Sequence, residues 1–372
     1  MRVGLVVPGF SADAADWCIP ALRHLVGRLA LEDEITVLAV RYPYTAARYR
    51  LVGADVWALG GGQRRGLASV SVWRRALGVL IAEHRRRRFD VLHAFWATES
   101  GLLAALAGRL LRVPTVVSLA GGELVGLPDI GYGDQLVPIE RLKVRAALRL
   151  ATALTAGSDY QLRLAERKLP TDRRRRLVRV PLGVDVELFN TAPAVRPNGS
   201  ERLLVHVGAL TPVKNQALLL SAVAELPRRG SRVELDVVGD GPLRNQLERL
   251  AATLGIQSSV RFRGALPHDQ LPSVYRAASA FVLSSRHEAQ GMVALEAAAC
   301  GVPVVGTAVG VVPELAAAGG ATAAAGDPTA LADAFEAMPT DAGRAARERV
   351  LSEFSLDESA GRFRRLYREL SD

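Results

Sequence analysis

The sequence predicts an α/β fold of two Rossmann-like, doubly wound domains, and three observations carry that expectation. Short apolar runs alternate with amphipathic stretches along the whole chain. A polar, proline-broken segment interrupts the alternation near its middle, and 372 residues suffice for two cores of ordinary domain size. Aromatic residues make up only 5%, so those cores must be mainly Leu, Val and Ala.

The first run, Met1-Arg2-Val3-Gly4-Leu5-Val6-Val7-Pro8, is shorter than a signal peptide's apolar segment and broken by proline, so it reads as strand one of a parallel sheet. Strands are expected next at Ile35–Val40, Val56–Leu59, Val91–Ala94, Thr115–Leu119 and Ala153–Ala156. Helices are expected near Ala21–Leu31, Val72–Arg86, Gly101–Leu111, Leu142–Leu150 and Tyr160–Lys168. Ligands of such a sheet lie beyond the C-terminal ends of its strands, here the loops Pro8–Trp17, Phe95–Ser100 and Ala120–Tyr132. Asn190–Ser200 holds Pro193, Pro197 and Asn198-Gly199-Ser200 and is expected to link domains spanning 1–189 and 201–354. The alternation then repeats, with strands at Leu203–Val207, Val233–Val238, Val260–Phe262, Phe281–Leu283, Val304–Gly306 and Thr322–Ala324, and a cleft is expected between the two units. The last stretch, 355–372, carries Phe363, Leu366, Tyr367 and Leu370 at helical spacing.

The formal charge of +9 is carried almost wholly by arginine and suits an anionic substrate, an anionic membrane surface or nucleic acid. Arg85–Arg88 and Arg173–Arg176 are either solvated faces or surfaces that lean on anionic lipid headgroups. Cys18 and Cys300, far apart in sequence, argue for a reducing compartment and against a disulfide framework. No uninterrupted apolar run reaches bilayer length, so the expectation is a cytoplasmic protein, peripheral at the inner face of the membrane at most. Six scattered histidines do not make a zinc site. There is no Gly-x-Ser-x-Gly and no phosphate-binding Walker sequence, and Gly239-Asp240-Gly241 lacks the third glycine of a dinucleotide fingerprint, so neither a hydrolase nor an NAD enzyme is favoured.

Chemistry concentrates in Ser284–Gly306, SSRHEAQGMVALEAAACGVPVVG. A buried strand, Phe281-Val282-Leu283, feeds a polar turn, and Gly291 opens an alanine-rich helix whose first amides, Gly291, Met292 and Val293, suit a phosphate. Glu288 and Glu296 would stand about 12 Å apart if the whole stretch were helical. Each could then accept from hydroxyls at one end of a ligand whose anionic middle sits on the amides. The plainer alternative makes Glu296 a solvated helix face and Glu288 a turn residue. Lys214, after the Val205–Gly208 strand end and a tight turn with Pro212, is either a diphosphate contact or a surface lysine at a helix start.

This stretch resembles the E-x7-E signature of the retaining glycosyltransferases of family GT4. Other marks of the family appear in order: Val207-Gly208-Ala209-Leu210 with Lys214-Asn215, Val238-Gly239-Asp240-Gly241-Pro242, Phe262-Arg263-Gly264, Gly301-Val302-Pro303-Val304-Val305 and Pro313-Glu314-Leu315. The N-terminal half matches more loosely, through Asp90–Ala94, Val113–Val117, Gly157-Ser158 and Pro181–Asp185. The resemblance implies the GT-B fold, with the acceptor met by the N-terminal domain, the donor by the C-terminal one, and the last helix crossing back. It implies transfer of a hexosyl group from a UDP- or GDP-sugar to a glycan, lipid-linked or small-molecule acceptor with retention of configuration. No metal, permanently bound cofactor or nucleic-acid partner is expected.

The residue roles it implies are Glu288 at the sugar ring and Glu296 at the ribose. Gly208, Lys214, Gly291, Met292 and Val293 would meet the diphosphate, and Arg263, Gly264, Ala265 and Leu266 the base. The chain departs from the family at Ala209, where many members carry arginine, and at Ala120, where many carry histidine; the Gly9-Phe10 loop also lacks the usual paired glycines. Gly121 and Gly122 are candidate acceptor contacts through their backbone, and Glu123 after them is either a sugar or acceptor contact or an ordinary helix-start glutamate. Phe10, Trp17, Trp96 and Tyr132 either stack on the acceptor or belong to the core. Two other readings stay open: a catalytically weak sugar-nucleotide binding protein, and a nucleotide-sugar epimerase of the same architecture.

Overall fold

Val3, Leu5 and Val7 of the first strand join one apolar cluster and Val6 joins another, so the strand is buried on both faces. A parallel strand covered by helices on two sides reads this way, as a continuous apolar run. This computed structural model describes residues 1–63, 67–170, 176–192, 202–317, 321–323, 326–339 and 341–372. Two compact units divide the chain, Met1–Gly183 with Leu356–Asp372, and Val184–Ser355.

The first unit runs β1 (Arg2–Gly9), α1 (Pro20–Leu29), β2 (Glu34–Tyr42), β3 (Ala47–Leu51), β4 (Ala54–Ala58), α2 (Leu67–Arg86), β5 (Val91–Phe95), α3 (Glu99–Leu111), β6 (Thr115–Leu119), α4 (Pro138–Leu150), β7 (Ala153–Ala156), α5 (Asp159–Lys168) and β8 (Leu177–Arg179). Its sheet has the order β3-β4-β2-β1-β5-β6-β7-β8, parallel except for the β3–β4 hairpin. Helices α2, α3 and α4 cover one face through Val72, Leu80, Leu103, Ala107 and Val144.

The second unit runs β9 (Arg202–Val207), α6 (Gln216–Glu225), β10 (Val233–Val238), α7 (Arg244–Thr253), β11 (Val260–Gly264), α8 (Leu271–Ala277), β12 (Ala280–Leu283), α9 (Met292–Ala299), β13 (Val304–Thr307), α10 (Val312–Ala316), β14 (Ala321–Ala323), α11 (Pro328–Glu336) and α12 (Ala342–Glu353). Its sheet is parallel throughout, in the order β11-β10-β9-β12-β13-β14.

The last helix, α13 (Leu356–Ser371), belongs to the first unit. With α1 it covers the second face of that sheet, through Leu22, Leu25, Phe363 and Tyr367. Polar bonds fix it there. Arg364 Nε donates to Asp33 at 2.9 Å, Ser359 Oγ to Pro181 O at 2.7 Å, and Tyr367 OH lies 2.7 Å from Nδ1 of the fully buried His93.

The units divide at 183/184, earlier than the proline-rich segment suggested. Residues 184–192 fold with the second unit because Phe189, 1% exposed, packs its ring against His268 and Tyr275. The rest of the expected linker, 193–200, lies outside the described residues, as do Arg173–Arg175. Strands β3 and β8 were not expected. Among the described residues, no helix is long and apolar enough to cross a membrane.

Candidate active site

In the second unit β9 leads to β10 on one side, while β12 and β13 lie on the other, so the strand order reverses between β9 and β12. Loops leaving neighbouring strands at such a point diverge, and this is where doubly wound sheets receive ligands. The two loops here are also stitched together. Ser284 Oγ donates to Lys214 O at 2.8 Å and Arg286 N to Val213 O at 2.8 Å, while Thr307 Oγ1, at the end of β13, donates to Ser285 O at 2.6 Å and anchors the second loop. A single 3-10 turn, Pro212–Lys214, therefore has a fixed position against the segment after β12.

That stitching brings Lys214 Nζ to 2.6 Å from Glu288 Oε1. Ser285 Oγ donates to the same oxygen at 2.6 Å, and Oε2 has no partner among the described residues. Neither side chain is lost to solvent or to the core, at 23% and 13% exposure. Beneath Lys214, the buried His206 has its Nδ1 2.9 Å from Val282 O, and Gln216 bridges from His206 Nε2 to Ala209 O. Burial, reinforced by the Lys214 charge, lowers the His206 pKa to about 4. The ring is neutral near pH 7, its proton on Nδ1 by the logic of the carbonyl partner.

Gly291 caps α9 with φ 88, a left-handed conformation, and an added Cβ would meet nothing closer than Glu288 Cγ at 3.8 Å. Glycine is needed there for its backbone, not for space. The first bond of the helix is Ala294 N to Gly291 O, so the helix itself makes no claim on the amides of Met292 and Val293. Residues 284–291 are not helical, which corrects the 12 Å spacing drawn from a continuous helix.

Nor is Glu296 a solvated helix face. It is 5% exposed, with His268 Nε2 3.0 Å from one oxygen and Tyr275 OH 3.0 Å from the other. Burial and the adjacent carboxylate hold the Tyr275 pKa far above its ordinary value, so the phenol keeps its proton and donates.

Gly208 lies along the Lys214 stem, and Gly239 N donates to Gly264 O at 2.8 Å. A Cβ on Gly239 would fall 2.0 Å from Gly208 O, so this glycine permits the close approach of two loops. Of the expected base loop, Arg263 is bound to Asp236 at 3.1 Å and Gly264 has φ 71. Ala265 is exposed and Leu266 half-buried. Arg244, unmarked by the sequence, donates to Phe262 O at 3.1 Å beside this loop.

Several first-unit candidates need correction. Phe10 is 1% exposed inside the α1-side core and has no face left for an acceptor. Glu123 is wholly buried, and its carboxylate accepts from the amides of Ala97, Ala120 and Gly121; it ties two loops together and is not a ligand contact. A Cβ on Gly121 would lie 2.7 Å from Trp96 Nε1, and one on Gly122 3.1 Å from the Tyr132 ring. These glycines make room for the protein's own aromatics. Trp96 and Trp17 remain half-buried, Trp17 stacked on His24 with Arg23 over its ring at 4.1 Å. His206, Gln216, Ser284, Ser285, Thr307, His268 and Tyr275 were all missed.

Residues 19–183 match the family described as Glycosyl transferase 4-like domain, and residues 190–350 match Glycosyl transferases group 1. The D-inositol 3-phosphate glycosyltransferase of Frankia alni is 35% identical over 281 residues, which is 69% of this chain and 67% of that protein. The chain belongs to glycosyltransferase family 4. A second relative is the GDP-mannose-dependent alpha-(1-6)-phosphatidylinositol monomannoside mannosyltransferase of Mycolicibacterium smegmatis. It is 31% identical over 319 residues, covering 79% of this chain and 77% of that one. Sucrose-phosphate synthase from Thermosynechococcus elongatus shares the fold, with TM-score 0.77 at 20% identity over 100% of this chain and 99% of that one. The two units are thus those of a GT-B glycosyltransferase, and the epimerase and binding-protein readings find no support.

Proposed function

We propose that this glycosyltransferase moves a hexosyl group from a nucleoside-diphosphate sugar, UDP- or GDP-linked, to a hydroxyl of a glycan, lipid-linked or small-molecule acceptor, with retention of anomeric configuration. The observation that carries the reading is the Lys214–Glu288 pair beside the start of α9. As the glycosidic bond breaks, negative charge grows on the departing diphosphate, and preorganised donors aimed at that charge lower the barrier. Lys214 commits one of its three N–H donors to Glu288, leaving two for phosphate oxygens, and the Met292 and Val293 amides add the positive end of a helix. These groups carry the leaving-group charge without a metal and without the arginine absent at Ala209.

Glu288 is loaded on Oε1 alone, which leaves Oε2 to accept from a sugar hydroxyl. The Glu296 oxygens, each held by one donor, retain lone pairs for ribose hydroxyls. A diphosphate oxygen takes the acceptor proton on the face from which it leaves, so no separate general base is needed. The base meets Arg263–Leu266, and the acceptor is met by the first unit, where Trp17 and Trp96 remain candidate contacts.

Donor consumption with UDP- and GDP-sugars, followed by NMR of the product's anomeric centre, tests the proposal. Inverted product, or turnover that Lys214→Ala and Glu288→Ala leave unchanged, would overturn it. Thermal shift with UDP and GDP reads the base preference, since the ligand that binds stabilises by mass action.

A further inference from the structure

Arg244 opens α7 in a place that helix stability does not explain. A cation in the first turn opposes the helix dipole, and a glutamate four residues after an arginine is the weaker of the two orders for such a pair. What the position does achieve is a fixed guanidinium beside the loop that follows β11. Nε donates to Glu248 at 2.9 Å, Nη2 donates to Phe262 O at 3.1 Å, and Cζ lies 6.0 Å from the centre of the Phe262 ring. Nη1 makes no hydrogen bond among the described residues, and its ionic neighbour Asp240 is loose at 3.8 Å. The same nitrogen would lie 3.7 Å from a Cβ on Gly264, whose φ of 71 suits glycine, so no side chain of that residue screens the guanidinium from the loop. The start of α7 is also tied to its neighbours. Leu243 N donates to Leu210 O at 3.1 Å, in the loop that carries Lys214, and Gly239 N donates to Gly264 O at 2.8 Å. One hydrogen-bonded set of loops therefore holds Lys214, Arg244 and Gly264.

Nε and one N–H of Nη2 are committed, which leaves both N–H groups of Nη1 and the second of Nη2 to donate, on a side chain that is 32% exposed. An edge that only donates discriminates between bases. Guanine presents two neighbouring acceptors, O6 and N7, and a planar fork meets both. Uracil flanks its O4 with N3–H and C5–H, so a second N–H beside the first finds no acceptor. We infer that Arg244 reads the O6 and N7 edge of guanine and makes this chain selective for a GDP-linked donor. The inference rests on the donor reading above, in which the base meets Arg263–Leu266, and adds to it the side chain that chooses the base.

Calorimetric titration of the full chain with GDP, inosine diphosphate and UDP is the test, inosine diphosphate keeping O6 and N7 but lacking the 2-amino group. GDP and inosine diphosphate are each expected to bind roughly tenfold or more tighter than UDP, and this ranking in the parent needs no variant. Arg244→Gln should weaken both purine nucleotides by roughly tenfold and UDP by less than about threefold. Arg244→Lys should fall close to Arg244→Gln, since lysine keeps the charge and loses the planar fork. A residue that merely held the loop would move all three nucleotides together, and the thermal midpoint verifies that each variant folds. UDP bound as tightly as GDP, inosine diphosphate bound no better than UDP, or equal losses for all three in Arg244→Gln overturns the inference. The donor reading survives any of these results as long as Lys214→Ala still weakens the nucleotide that binds. If none of the three binds, the donor reading fails and this inference fails with it.

Discussion

Lys214 and Glu288, 74 residues apart in sequence, meet at 2.6 Å because the turn after β9 and the loop after β12 are hydrogen-bonded to each other. Each side chain neutralises the other, so removing either leaves an unbalanced charge in the proposed donor site. Lys214→Ala and Glu288→Ala are each expected to lower kcat about a hundredfold or more with folding intact. The double variant should lose less than the product of the two, because the residues act as a unit. Steady-state kinetics on the four proteins, with circular dichroism as the folding check, give the comparison; near-normal turnover in either single variant removes that residue from the reaction.

Gly291 and Gly239 are both in positive φ for different reasons, and alanine at each should separate them. At Gly291 there is room for a Cβ, so Gly291→Ala carries only the left-handed backbone cost of about 1–2 kcal/mol. The protein should fold, with donor affinity reduced because the first turn of α9 shifts, and Gly291→Asn should be milder, since asparagine tolerates this conformation. At Gly239 the added carbon would overlap Gly208 O, so the loops must part. Gly239→Ala is expected to destabilise more than Gly291→Ala in denaturant unfolding, and equal losses would contradict the packing argument.

The alternation of apolar runs revealed both sheets because parallel strands buried on two faces leave an unbroken run such as Val-Leu-His-Ala-Phe in β5. β3 was invisible for the converse reason. Its residues Ala-Arg-Tyr-Arg-Leu are largely exposed at a sheet edge, and its pairing follows from a Val52-Gly53 turn with positive φ at both positions. The pair of glutamates and the glycine-led helix were legible because a short segment holds them all. The bonds that hold Glu296 were not, since His268 and Tyr275 come from elements 28 and 21 residues away in sequence, and the buried His206 beneath Lys214 was hidden because a histidine inside a strand looks like any core position. Phe10 misled because it follows the expected strand end, where a loop ring and a buried ring have the same sequence context.

Glu123 should matter for stability, not for acceptor binding. Its fully buried carboxylate answers three backbone amides at 3.2, 3.1 and 2.7 Å. Glu123→Ala strands those donors and is expected to destabilise the first unit by about 3 kcal/mol. Burial pushes this carboxyl above its ordinary pKa while the amides pull it back, so the neutral mimic Glu123→Gln should lose less than Glu123→Ala. Thermal unfolding ranks the two, and an acceptor KM raised in Glu123→Gln without loss of stability would restore the ligand role.

His93 should contribute a pH-dependent part of the first unit's stability. Its ring nitrogens are committed to Tyr367 OH at 2.7 Å and Ser118 Oγ at 2.8 Å, and Ser118 continues to Thr155, so one buried chain joins β5, β6, β7 and α13. Burial lowers its pKa from 6.5 to about 3. Between those values the unfolded chain binds a proton that the folded one refuses, so stability is full above the ordinary value and falls as pH drops toward the folded one. The slope is about 1.4 kcal/mol per pH unit for one histidine. Glu123, with its pKa raised, works in the opposite sense, and carboxylates generally intrude at lower pH, so the informative quantity is the difference between the parent and His93→Gln from pH 6.5 to 5. His93→Gln should be less stable at pH 7, since glutamine reproduces the chain imperfectly, yet lose less on acidification. Parallel pH dependences in urea unfolding of the two proteins would show that His93 is not the group that takes up the proton.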